Sequence, residues 1–133
     1  MLAIRRETDY AIKLLKILSQ SKGQVLSLNE VSKKSKISFL FLQKIARKLR
    51  LAKIISAYQG VDGGYKLLID PKKISLRLVI EAMEGKFCLL SCLNKNKEVK
   101  CVAADANCNL KNKMNKINNR IIKILDAVKL KDI

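Results

Sequence analysis

The sequence predicts a mainly α-helical chain with a small β-hairpin wing, arranged as a winged helix-turn-helix followed by one long C-terminal helix. Three observations predict it. Two helix-forming stretches, each opened by a serine cap, lie close together between residues 27 and 51. A glycine-rich turn between two apolar runs follows them at once. The last segment carries apolar residues at alternating spacings of four and three. A length of 133 residues is that of one domain with a modest core.

In chain order, residues 4 to 20 form the first helix, with Tyr10, Ala11, Leu14, Leu15, Ile17 and Leu18 as its apolar stripe. Thr8 or Asp9 assists near its start, and Lys22-Gly23 ends it, glycine being favoured just past a helix. Val25-Leu26 is a short extended bridge into Ser27-Leu28-Asn29-Glu30. That tetrapeptide is a capping box: the serine accepts from the backbone three residues on, and the glutamate reaches back. It predicts a helix from Leu28 to about Lys34. Ser38 caps the next helix, about 39 to 51, and only a tight turn fits between the two, which is the spacing of a helix-turn-helix.

Ile54 to Gln59 and Tyr65 to Ile69 are apolar-rich runs joined by Gly60-Val61-Asp62-Gly63-Gly64, whose glycines supply the positive φ angles of a hairpin turn. Asp70-Pro71-Lys72-Lys73 is a break, since proline does not continue a central strand. Ser75 caps a further helix with Leu76, Val79, Ile80 and Met83 buried and Gly85 at its end, packed on the first helix. From Lys86 to Asn109 no period persists. Residues 109 to 128 are a long helix in which Leu110, Met114, Ile117, Ile121, Ile124 and Val128 make a heptad-like seam. Such a seam serves either to fold the helix onto its own core or to pair two copies. The dimer is preferred, because a protein reading two half-sites needs a two-fold partner. The expected organisation is a DNA-binding unit over 1–85, a cysteine-containing sensor loop over 86–108, and a dimerisation helix and tail over 109–133.

The helix over 39–51 has two faces. Phe41, Leu42, Ile45 and Leu49 form its core stripe. At about 100° per residue the opposite face presents Leu40, Gln43, Lys44, Arg47 and Arg50. With Ser38 at the helix head, and Gln59 and Gly63 on the wing, these are the candidate DNA contacts. Between Val31 and Val61 stand eight Lys or Arg and no Asp or Glu. A run of one sign repels itself unless a polyanion neutralises it. The net charge of +17 points the same way, although the abundance of Lys, Asn and Ile also fits A+T-rich coding.

No apolar run is long enough to span a bilayer, and the N-terminus is too charged for a secretory leader. The expected location is cytoplasmic, with no membrane partner. The chain has no histidine, no phosphate loop and no convergent carboxylates, so no enzyme is expected. A basic adaptor that binds an acidic partner through the same face is the alternative from another class.

All four cysteines fall in the aperiodic stretch, spaced C-x3-C-x8-C-x6-C as Cys88, Cys92, Cys101 and Cys108. These are neither the paired knuckles of a structural zinc site nor the tight run of a ferredoxin. In a reducing compartment such thiols are ligands or sensors rather than disulfides. Soft sulfur suits an iron–sulfur cluster or zinc. Lys95, Lys97, Lys100 and Lys111 favour the thiolate form. Cys88, in Phe87-Cys88-Leu89-Leu90, also fits a small buried apolar residue.

Several of these stretches together resemble the IscR/NsrR/CymR type of bacterial winged-helix transcription regulators, the Rrf-two family, over nearly the whole chain. The resemblance is carried by Glu7-Thr8-Asp9-Tyr10-Ala11, by Ile37-Ser38 with Phe41-Leu42, and by Gly60-Val61-Asp62-Gly63-Gly64-Tyr65 with Leu67. Pro71, Ile74-Ser75-Leu76 and Val79-Ile80-Glu81-Ala82-Met83-Glu84-Gly85 follow in the family order. The resemblance implies a homodimer held by the long C-terminal helix and acting on double-stranded DNA with a two-fold operator. It implies that Cys92, Cys101 and Cys108 ligate a [2Fe-2S] or [4Fe-4S] cluster. Asp9 of the second subunit would be the fourth ligand, as in the nitric-oxide-sensing branch, with Cys88 as the alternative. It points to Gln43, Lys44 and Gln59 for DNA contacts, where the best-studied relatives carry an acidic residue at the position of Gln43 and an arginine at that of Gln59. The reading is a regulator sensing iron–sulfur, redox or nitric-oxide status. The alternative within the family is a cluster-free regulator controlled by a partner protein or by thiol oxidation.

Overall fold

The computed structural model describes residues 3–95 and 108–133, so Lys97, Lys100 and Cys101 lie outside the described residues. Serine caps fix three of the helix starts. Ser27 accepts from the Glu30 N–H at 3.2 Å and opens α2 (Leu28–Ser35). Ser38 accepts from the Phe41 N–H at 3.3 Å and opens α3 (Phe39–Leu51). Ser75 accepts from the Leu78 N–H at 3.1 Å and opens α4 (Leu76–Glu84). Each such cap contributes about 1 kcal/mol. In the expected capping box the serine half carries the cap, and the Glu30 side chain is exposed.

The first helix, α1 (Arg6–Gln20), starts by another device. Neither Thr8 nor Asp9 caps it. Instead Glu84, at the end of α4, accepts from the Arg5 N–H at 2.9 Å and from the Thr8 hydroxyl at 2.6 Å. Ala11, Leu14, Leu15 and Leu18 of α1 are buried against Leu42, Ile45, Ala46 and Leu49 of α3 and Val79 and Met83 of α4. Full burial of a leucine contributes roughly 1.5–3 kcal/mol, so this three-helix contact is the stabilising centre of the chain. Phe41, expected in the core stripe, is 47 % exposed and sets its ring edge-on to Tyr10. Ala46 is instead fully buried in that core.

The hairpin pairs β1 (Ile55–Tyr58) antiparallel with β2 (Gly64–Leu67), in the register Ile55↔Leu67 through Tyr58↔Gly64. Gly60 takes a φ of 107° at the turn and its carbonyl accepts from the Gly63 N–H at 3.0 Å. A further bridge comes from Leu26, outside the hairpin, which exchanges hydrogen bonds of 2.9 and 2.8 Å with Tyr65. A side chain at Gly64 would run into the Leu26 carbonyl, so glycine there lets the bridge close. The result is a winged helix-turn-helix.

The long helix α5 (Asn109–Ala127) is anchored at its C-terminal half. Asp126 accepts from Arg77 Nη1 at 2.9 Å and from the Ser75 hydroxyl at 3.3 Å. The hydrogen bonds of Arg77 to Asp126 and to Glu81 raise its pKa above the already high ordinary value. The tail then returns to the domain: the Leu130 N–H donates to Ile74 at 2.8 Å, the Leu76 N–H donates to Val128 at 2.9 Å, and Leu130 is buried. Residues 109–133 are therefore tied to the winged helix-turn-helix through the 74–77 segment. The expected seam divides. Met114, Ile121, Leu125 and Val128 are half-buried, while Leu110, Ile117 and Ile124, seven residues apart, are 62, 46 and 65 % exposed. A helix that turns about 100° per residue cannot bury both edges of a broad stripe against one neighbour. Among the described residues, no helix is long and apolar enough to cross a membrane.

Candidate nucleic-acid interface and cysteine segment

The cap at Ser38 and the buried Leu42, Ile45 and Leu49 fix both the start and the rotation of α3. Leu40, Gln43, Arg47 and Arg50 are then exposed along one stripe of the helix. Neither arginine is in an ion pair among the described residues. Ser38 is exposed, with its hydroxyl spent on the cap. Gln59 is exposed just past β1, and Gly63 is half-buried in the turn.

Lys44 lies at the edge of this stripe and has a partner that the local sequence does not announce. Glu7 of α1 accepts from Lys44 at 2.7 Å and from Lys48 at 3.2 Å, and Lys48 reaches the Met83 carbonyl at 3.4 Å. The long one-signed run is thus partly neutralised from a distance of thirty-seven residues. The hydrogen bonds from Lys44 and Lys48 hold the Glu7 carboxyl below its ordinary value of 4.5. Because the folded value is the lower one, the pair is complete above the ordinary carboxylate range and is lost as pH falls through the folded value. Glu7→Gln is expected to leave the fold unchanged and to free both lysines for phosphate. Log affinity for DNA plotted against log salt should then steepen by about 0.9 for each lysine gained. Titrations at several salt concentrations check this, and an unchanged slope refutes it. No motif marks Glu7 for this role; only the packing of α1 on α3 supplies it.

Among the cysteines, Cys88 is half-buried beside Phe87. It lines a cavity of about 490 Å³ with Ile4, Ile80, Ile121 and Leu125. Its segment is held by two backbone donors, Phe87 to Glu81 at 3.2 Å and Leu89 to the buried Asn118 at 2.9 Å. Cys92 sits in a single 3₁₀ turn, Ser91–Leu93, packed on α5. Cys108 is the N-cap of α5, and its sulfur accepts from the Lys111 N–H at 3.5 Å. All three are free thiols, half-buried. The donors present fit a soft metal or an iron–sulfur cluster in kind. Among the described residues, no three potential ligands stand together. Asp9 is exposed and pairs with Lys13 at 3.1 Å on its own helix.

Comparison with known proteins bears on both regions. A family model described as Rrf2, iron-dependent transcriptional regulator, matches residues 4–133. The HTH-type transcriptional regulator NsrR of Oceanobacillus iheyensis is 29 % identical over 131 residues, covering 98 % of this chain and 88 % of that one. The HTH-type transcriptional regulator IscR of Cereibacter sphaeroides is 37 % identical over 70 residues, which is 53 % of this chain and 45 % of that one. The solved structure of CymR, the global cysteine regulator of B. subtilis, superposes with a TM-score of 0.74 at 22 % identity, covering 99 % of this chain and 95 % of that one. That superposition shows a shared fold.

Proposed function

Because this chain belongs to the Rrf2 family of transcriptional regulators, we propose that it grips a two-fold DNA operator as a homodimer whose affinity is set at the cysteine segment. It is a DNA-binding regulator and not an enzyme. The dimer is supported by the row Leu110, Ile117 and Ile124, left exposed at heptad spacing on a helix otherwise clamped to its own domain. DNA contact by α3 is supported by the exposed stripe that ends in two arginines free of ion pairs among the described residues.

Cys92, Cys101 and Cys108 would hold an iron–sulfur cluster, completed by Asp9 of the second protomer or by Cys88. When bound, such a group supplies iron that responds to redox state and nitric oxide. The chain's own part is mechanical. Cys92 follows the segment tied to Glu81 and Asn118, and Cys108 begins α5, so force on either thiol reaches α4 and the dimer helix. Glu84, at the end of α4, holds the start of α1, whose Glu7 holds Lys44 on the reading helix. The thiols are thus linked to α3 by alternating stretches of backbone and side-chain hydrogen bonds. Only a difference in binding between two states changes affinity, and about 1.4 kcal/mol of coupling is a tenfold change.

The single observation that supports the sensing reading is that Cys92 lies in a turn packed on α5 and Cys108 caps that same helix. The test is anaerobic purification with iron and sulfide analysis, a Cys92→Ala control, and titration of a selected duplex with loaded and stripped protein. A tenfold or larger difference in affinity is expected. Equal affinities remove the switch and leave DNA binding standing. A protein that carries no iron or sulfide, yet changes affinity on mild oxidation, is the cluster-free regulator instead. Binding that does not prefer a selected duplex over random DNA points to the basic adaptor.

A further inference from the structure

In helix-turn-helix proteins the first residues of the second helix meet the base edges. Here those residues are Phe39, Leu40 and Phe41, and no charged side chain occurs in α3 before Lys44. Leu40 is 76 % exposed and Phe39 39 %. Phe41 is held aside by Tyr10, with ring centroids 6.1 Å apart. A leucine offered to the major groove gains by contact with an apolar group, and the thymine 5-methyl is the apolar group that groove presents. Gln43, nearly one turn further along the same stripe, is exposed. A side-chain amide in that position can pair with N6 and N7 of adenine. The first cation of α3, Lys44, gives its ammonium to Glu7 at 2.7 Å.

We propose that Leu40 is a specificity-determining residue that reads a thymine methyl in each half-site, with Gln43 on a neighbouring adenine. The head of α3 thus recognises A·T pairs by one apolar and one amide contact. This rests on the DNA-binding reading above and adds the chemistry that α3 recognises.

The experiment begins with selection of binding sites from a random duplex library, using the full-length protein. Each thymine of the best site is then replaced in turn by deoxyuridine, which removes the methyl and nothing else. One symmetric thymine pair is expected to respond, with affinity falling about fourfold per methyl, the equivalent of one apolar carbon exposed to water. Leu40→Ala should bind more weakly and lose the distinction between thymine and deoxyuridine at that position. Leu68→Ala, an exposed leucine beyond β2, should keep it. Deoxyuridine tolerated at every position, or a distinction that persists in Leu40→Ala, overturns the assignment while the regulator reading stands. A library that yields no enriched duplex overturns the regulator reading and the assignment with it.

Discussion

Ile117→Asp is expected to leave each protomer folded and to abolish its pairing. Ile117 is 46 % exposed within one chain, so its own domain gains little from it, and an exposed substitution changes stability by about 0.5 kcal/mol or less. In a paired seam it lies midway between Leu110 and Ile124, and two carboxylates would have to be desolvated there in place of two apolar side chains. Light scattering should report the mass of one chain, with the helical circular dichroism and melting profile retained. Operator affinity should fall roughly hundredfold or more, because a two-headed grip exceeds a single head by about 10²–10⁴. A dimer that survives the aspartate refutes the assignment of this row. The sign of the salt effect is a second check. Beside the row α5 carries Lys113, Lys116, Arg120 and Lys123, against Asp126 as its one acid. Pairing should therefore strengthen as salt screens this repulsion, while DNA binding weakens.

Arg47→Ala with Arg50→Ala is expected to weaken operator binding at least roughly tenfold while keeping the preferred sequence, since phosphate contacts position a protein and base contacts specify the site. Both side chains are exposed, so folding should not change. In a dimer four cationic contacts are lost. The slope of log affinity against log salt should shallow by about 3.6, at about 0.9 for each phosphate released. Gln43→Ala is the contrasting variant: it should flatten preference at one base pair and leave the slope intact. Were the arginine variant instead to alter the preferred sequence, these residues would be base readers and the division of labour along α3 would be wrong.

The elements were legible wherever the signal is local. Ser27, Ser38 and Ser75 announce helix starts because a cap involves a side chain and a backbone N–H only three residues apart. The hairpin was legible in its glycines, and α5 in its period. Leu40, Gln43, Arg47 and Arg50 could be placed on an outward face for the same reason: a buried Leu42, Ile45 and Leu49 fixes where the others point. Phe41 was misplaced because it lies on the border of that stripe, and what decides a border residue is the neighbour it meets, here Tyr10.

By itself, then, the sequence determined the order of elements and the cationic face of α3, since each follows from spacings of a few residues, and it put all four cysteines in the stretch before the last helix. Tertiary structure alone decided that Glu7 restrains Lys44, that Glu84 starts α1, that Asn118 holds the cysteine segment, and that Asp126 fastens α5 to α4. Each of those joins residues twenty-nine to seventy-nine positions apart. A hydrogen bond acts over about 3 Å whatever the chain length between its ends, and only packing brings such ends together.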